Sequence, residues 1–188
     1  MFPLMVATAS AISVPTASTP LLDGRCQEAE WHRSRRLAAE AGYSLRVMRD
    51  SRFVYLCVDY PEQSLGMLDL FLKTEKQSTP LHLHASAKLG EARWTIGGWT
   101  DLSWWNERGW STQVNGFDQL ADGKVTFHRN PEREFQFSLA RFGEGKWQLL
   151  AEILNDRTGS VAMRFPQTGD KNELRTYFTF QVGKEETR

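Results

Sequence analysis

Over residues 81–89 the chain alternates without a break. Leu81, Leu83, Ala85, Ala87 and Leu89 fall on one side, and His82, His84, Ser86 and Lys88 on the other. A period of two marks a strand with one buried face, and a slip of one residue would turn every apolar side chain outward. The same period recurs in Tyr43–Arg49 through Leu45 and Val47, in 67–73 through Leu68, Leu70 and Leu72, and in 134–142 through Phe135, Phe137 and Leu139. Phe53–Asp59, Val125–His128, 147–154 and 174–182 add further strand-like runs, the last aligning Leu174, Thr176, Phe178, Phe180 and Val182. Turn residues separate them: Pro61-Glu62, Gly97-Gly98, Asp122-Gly123, Asn130-Pro131, Gly143 with Gly145, and Asn155-Asp156. One short helix is predicted over 28–41, carrying Arg33, Arg35 and Arg36. Eight or more short strands at this spacing predict an all-β chain folded as an antiparallel β-sandwich or barrel.

At 188 residues a single domain with an adequate core is expected. Its 23 basic and 23 acidic residues cancel, and no basic stripe suited to nucleic acid is visible. No apolar run reaches the roughly 18 residues of a membrane span. Residues 1–20 differ in kind: they hold no charge and are rich in Ala, Ser, Thr and Pro. Ala7-Thr8-Ala9 and Ala9-Ser10-Ala11 fit a small-residue cleavage pattern, although the basic n-region of a secretory signal is missing. The segment reads as a clipped signal peptide or a flexible leader, disordered and outside the fold. The expected division is therefore leader 1–20, sandwich 21–184 and tail 185–188, with the protein secreted or periplasmic.

Cys26 and Cys57 are the only cysteines, and their spacing fits no zinc motif. In an exported chain they would pair, stabilising the fold by about 3–4 kcal/mol. In a reducing compartment they would be two small apolar residues.

Five of the seven tryptophans lie between 94 and 110: Trp94, Trp99, Trp104, Trp105 and Trp110. Each carries roughly 150–250 Å² of surface, and no single period puts all five on one buried face. Trp94, where an extended run meets Gly97-Gly98, is expected in the core. Trp99, Trp104, Trp105 and Trp110 are the candidate ring platforms for a ligand with one apolar and one polar face, such as a sugar. Asn106, Asp101 and Arg108 would hydrogen-bond its hydroxyls. In the alternative reading these rings close the end of the sandwich, and the protein is a structural or protein-interaction domain of the cell envelope.

His82 and His84 stand at i and i+2, so both leave the same strand face. Such a pair can hold zinc given a third ligand, for which Asp69 and Glu152 are candidates, but nothing in the sequence selects one. They are therefore expected to be hydrogen-bonded sheet residues without a metal; a metal-dependent hydrolase built on them is the third functional reading. Met67 with either histidine is a formal haem pair without a Cys-x-x-Cys-His attachment. Asp69, Asp101, Glu107 and Glu152 could supply a glycosidase carboxylate pair, but 23 acids always allow some pair. No nucleophile elbow, P-loop, dinucleotide fingerprint or His-Glu-x-x-His occurs. A non-catalytic protein is expected.

The stretch Leu22-Asp23-Gly24-Arg25-Cys26-Gln27-Glu28-Ala29-Glu30-Trp31 resembles the opening of family 9-like carbohydrate-binding modules. There an Asp-Gly turn precedes a Glu and an aromatic residue. Leu45-Arg46-Val47-Met48-Arg49-Asp50 followed by Phe53–Asp59 looks like the strand pair that comes next, with Tyr60-Pro61 departing from the usual continuation. The resemblance covers roughly residues 20 to 60. It implies a carbohydrate-binding-module sandwich, sugar held between aromatic rings and, in some members, structural calcium as the only cofactor. It also implies a Cys26–Cys57 disulfide, because the first strand and the Phe53–Asp59 strand are neighbours in that family. The expected partner is a carbohydrate.

Overall fold

The computed structural model describes residues 12–40, 42–60, 67–104, 108–113, 116–128, 132–155 and 157–183. In chain order these form β1 (Ile12–Ser13), α1 (Glu28–Trp31), β2 (Arg35–Glu40), β3 (Tyr43–Arg49), β4 (Phe53–Asp59) and β5 (Met67–Thr74). There follow β6 (Leu81–Ala85), β7 (Leu89–Thr95), β8 (Gly98–Trp99), β9 (Ser103–Trp104), β10 (Trp110–Thr112), β11 (Gly116–Gln119) and β12 (Val125–His128). The chain closes with β13 (Glu132–Ser138), α2 (Leu139–Phe142), β14 (Gly145–Leu154), β15 (Val161–Phe165), a 3₁₀ turn (Leu174–Thr176) and β16 (Phe178–Val182).

Two sheets form the sandwich. The larger runs β1-β16-β14-β5-β6-β7, with β8 and β9 paired to β7 and β15 paired to β14. The smaller runs β10-β13-β4-β3-β2, and β11 with β12 makes a separate ribbon. Apart from the parallel β1–β16 pair, the ladders are antiparallel. The inner faces follow from the alternation. Leu68, Leu70, Leu72, Leu81, Leu83 and Ala85 of the large sheet meet Leu45, Val47, Val54, Leu56 and Val58 of the small one, and all are buried. Phe137, Phe142, Trp147 and Phe180 fill one end with edge-to-face and tilted ring contacts, and Phe135 stacks parallel to Phe137. The space left between the sheets is about 10 Å³, and its walls are apolar. That is at the lower limit for one water molecule, so this cavity holds no ligand.

The structure corrects several sequence expectations. The helix expected over 28–41 is one turn, Glu28–Trp31, after which the arginine-bearing segment pairs with β3 as an edge strand. The run 81–89 breaks at Ser86, whose backbone N–H donates to the Lys88 carbonyl, so it is two strands of a hairpin. The runs 134–142 and 174–182 each give one end to a helical turn. Residues 12–20 are not a disordered leader. Ile12 and Ser13 pair with Phe180 and Gln181, Val14 is buried in the core, and Ala17 N–H donates to the Arg49 carbonyl. They sit there because Ile12 and Val14 bring apolar surface to an open sheet edge. Residues 1–11 and 184–188, with most of the expected leader signature and the whole tail, lie outside the described residues. Among the described residues no helix is long and apolar enough to cross a membrane.

The disulfide is present: Cys26 and Cys57 are bonded, with Cα atoms 6.2 Å apart. Cys57 is on β4 as expected, but Cys26 sits in the turn before α1 and not on a strand. The bond fastens this N-terminal segment across the outer face of the small sheet. There Cys26, Trp31, Met48, Tyr55 and Cys57 form a second apolar cluster. This explains why β4 is buried on both faces, while β6 is fully buried on one only.

Candidate functional site

Among the described residues no disulfide-held segment lies over β5, β6 and β7 on the outer face of the large sheet. Trp99, Leu174 and Tyr177 cover Phe71 there and leave the Trp104 end of this face more open. Cross-strand register sets its side chains: Asp69 opposite His84, Phe71 opposite His82, and His84 opposite Gly90. Trp99 comes back over this face from β8, in register with Trp94. Its ring lies 5.3 Å from Phe71, 5.9 Å from His82 and 5.2 Å from Trp94. Phe71 stacks on His82 at 4.5 Å and, with Leu150 and Tyr177, makes a small buried cluster under Trp99.

Trp104 is positioned by a missing side chain. In β9 it pairs with Gly90, and a Cβ on that glycine would stand 3.2 Å from the indole ring. The ring therefore lies on bare strand backbone, edge-on to His84 at 5.8 Å and with Lys88 Nζ 6.0 Å from its centroid. It is 52% exposed, the most open tryptophan among the described residues. Two indoles thus flank two imidazoles on one open face.

Asp69 joins the histidines. Its Oδ1 lies 2.7 Å from His84 Nδ1 and 2.8 Å from His82 Nε2. Burial would raise the Asp69 carboxyl, but hydrogen bonding and charge from His82 and His84 outweigh it and hold it at about 2. A carboxyl held there cannot act as a general acid near neutral pH. Glu152, the other acid weighed as a third ligand, is opposite Asp69 on β14 but is taken by Arg164 at 2.6–2.7 Å.

The residues expected to hold a ligand separate into distinct groups. Trp99 and Trp104 share the face, and Asp101 is exposed between β8 and β9. Trp110 is corrected: it is 7% exposed, paired with Phe137 on the inner side of the small sheet, and part of the core. Trp94, expected in the core, is instead half-buried on the open face. Arg108 is a brace. Its guanidinium donates to Ser103 Oγ at 3.1 Å and to Glu91 Oε1 at 3.4 Å, and its carbonyl accepts from Arg141. Glu91 also receives Arg141 at 2.8 Å. Burial would raise the Glu91 carboxyl, but Arg141 and Arg108 outweigh it and lower it. This ion cluster ties the Trp104 segment to α2. Trp105, Asn106 and Glu107 lie outside the described residues.

Sequence reasoning missed Gly90, and it named Asp69 beside the histidines without being able to choose it over Glu152. The signal for Asp69 was present, because alternation in β5 and β6 puts Asp69, His82 and His84 on the polar side of adjacent runs. Only the pairing register was missing.

No protein-family profile matches the chain, and no curated protein sequence does. Among solved structures it is similar to one from Bacteroides uniformis ATCC 8492, described as a candidate carbohydrate-binding protein. The TM-score is 0.53 at 9% identity, covering 93% of this chain and 100% of the other. A likeness at that identity shows the fold alone.

Proposed function

We propose that this protein is a non-catalytic carbohydrate-binding-like module. It takes a glycan, or a similar polar ligand with an apolar face, on the outer face of the large sheet. The observation that carries this is the half-exposed Trp104 ring, held flat on Gly90 beside the Asp69–His82–His84 cluster. An indole face supplies the apolar contact and adjacent carboxylate and imidazole groups supply directional polar partners, the composition that shallow sugar sites require. Trp99 extends the apolar strip, and Asp101 adds an exposed acceptor at its edge. Trp105 and Asn106, next in the chain, belong to the same proposal. The reading does not require membership of family 9, nor structural calcium. The Cys26–Cys57 bond supports an exported protein, secreted or periplasmic.

The test is a glycan array probed with the full chain, followed by titration of the best ligand with tryptophan fluorescence as the signal. An affinity between about micromolar and millimolar is expected, with Trp104→Ala weakening it about 10- to 100-fold. An array without hits and an indole signal that answers no glycan would defeat the proposal. The alternative, a protein-interaction domain, draws on the ribbon of β11 and β12, where Phe127 is 77% exposed with Val125 and Leu120 beside it. Phe127→Ser would then abolish partner capture and leave glycan binding unchanged.

A further inference from the structure

We infer that Asp69, His82 and His84 form a binding site for one divalent transition-metal cation of the zinc type. The sequence offered Asp69 and Glu152 as third donors without selecting either, and the expectation was no metal. The structure supplies that donor from the neighbouring strand: Asp69 is the direct cross-strand partner of His84 and diagonal to His82. One atom from each residue, two ring nitrogens and a carboxylate oxygen, falls within 4.8 Å of the others. Ligands on a tetrahedral zinc, with bonds of about 2.0–2.1 Å, stand about 3.3 Å apart. Small rotamer adjustments therefore bring the three donors into coordination without moving the strands.

A hydrogen-bonded triad alone accounts for this cluster incompletely. His84 Nδ1 is well directed at Asp69 Oδ1. His82 Nε2 is equally near the same oxygen at 2.8 Å and interacts with it electrostatically. It is nonetheless buried, falls outside good hydrogen-bond geometry to Asp69 and has no other partner among the described residues. A buried ring nitrogen left in this state costs free energy, and a cation between the three donors would satisfy it together with both other ligands. The rings are held by packing: His82 is stacked on Phe71 and edge-on to Trp99, and His84 is edge-on to Trp104. Fixed imidazoles lose little freedom on binding. Two neutral imidazoles and one carboxylate suit zinc, cobalt, nickel or copper better than calcium, which takes six to eight oxygens.

The experiment uses the untagged full chain and metal alone, so glycan recognition can fail without touching it. Calorimetry with Zn²⁺ is expected to give one ion per chain at about micromolar affinity or tighter. Co²⁺ should give visible absorption bands of tetrahedral coordination, and Cu²⁺ should quench indole fluorescence, because Trp99 and Trp104 touch the two imidazoles. Asp69→Asn, His82→Gln and His84→Gln should each weaken Zn²⁺ binding at least tenfold. His32→Gln, at an exposed histidine bonded to the Ala29 carbonyl, should leave it unchanged. The Co²⁺ spectrum is read on the unaltered chain and does not depend on how the variants fold. Absence of Co²⁺ bands and of stoichiometric Zn²⁺ in that chain would overturn the inference. So would Zn²⁺ binding that the three site variants leave intact.

Discussion

The two outer faces of this sandwich carry the same kinds of residue and treat them in opposite ways. On the small sheet, Glu134 and Trp31 meet under the disulfide-held segment: the Trp31 indole N–H and the Gly24 backbone N–H both donate to the Glu134 carboxyl. Both side chains are buried to 1% exposure or less. On the large sheet, Asp69 shares a face with two histidines and with Trp104, which stays half-exposed while the other three are less so. Burial pushes the Glu134 carboxyl up to about 7, because the neutral Gly24 and Trp31 donors offset it only in part and Asp23 and Glu30 add to the rise. At Asp69 the same tendency is overcome by imidazoles, and the carboxyl stays at about 2. Cover and neutral partners make a structural seal, while an open face with titratable partners makes a binding surface.

The largest test of that contrast replaces one tryptophan on each face. Trp31→Ala leaves a cavity under the N-terminal segment and removes a donor from a buried carboxyl, so stability should fall by about 3–5 kcal/mol. Trp104→Ala removes a ring that is already half-exposed, and stability should fall by less than about 1 kcal/mol, while ligand affinity falls by about 1–3 kcal/mol. Urea unfolding and ligand titration on both variants separate the two roles. Equal losses of stability would erase the distinction between the faces.

Removing the disulfide comes next. The 31-residue separation between Cys26 and Cys57 predicts a loss of about 3–4 kcal/mol in a Cys26→Ala, Cys57→Ala double variant. The loss should appear as early hydrogen exchange confined to residues 17–34 and β4, with β5 and β6 still protected. Uniform loss of protection would mean that the seal and the open face unfold together.

Titration sharpens the comparison further. An unfolded glutamate ionises near 4.5, and Glu134 in the folded chain at about 7. The folded state therefore holds the proton across that window, and stability falls as pH rises from about 4.5 to about 7. The expected decline is on the order of 2–3 kcal/mol. Glu134→Gln should flatten it, read as urea midpoints of both proteins at pH 4.5, 6 and 8. Asp50, below the same seal, behaves in reverse. Burial would raise it, but the Thr19 and Tyr55 hydroxyls and the Arg52 and Phe53 backbone N–H groups hold it at about 2. Its contribution is lost only as pH falls from about 3.8 to about 2.

Much of the sandwich was legible in the chain, because a one-sided strand leaves its period in the sequence. Leu81, Leu83 and Ala85 against His82 and His84 is the burial of β6 residue by residue. What failed was local. Arg33, Arg35 and Arg36 looked helical because charges without apolar alternation carry no strand signal, yet Arg35 and Arg36 pair with β3 across an edge. Trp110 looked like its neighbours in the tryptophan run, but register with Phe137 turns it inward. The Asp23-Gly24 to Trp31 stretch that resembled a module's opening proves to be the lid of the sealed face. The site itself was half visible. Period two put the histidines on one face, but nothing in one strand says which acid of the next will stand opposite.

The smallest expected effect concerns Gly90, and it isolates the placement of the Trp104 ring from its presence. Gly90 does not have a positive φ, so alanine fits the strand conformation and would gain up to about 1 kcal/mol by restricting the unfolded chain. Against this, the new Cβ would meet Trp104 and Leu102 at 3.2 Å, closer than comfortable carbon contact at about 3.5–4.0 Å. Leu102 is only partly buried and Trp104 is half-exposed, so the ring can lift by a few tenths of an ångström. The two terms nearly cancel in stability, and Gly90→Ala should unfold within about 0.5 kcal/mol of the parent. A lifted ring no longer lies level with His84 and Asp69, so a ligand must choose between stacking and hydrogen bonding, and affinity should drop about threefold, or ~0.6 kcal/mol. The same displacement should change the near-ultraviolet circular dichroism of the coupled indole. A loss of stability above about 2 kcal/mol would mean that the ring cannot move, and that Trp104 belongs with the sealed face after all.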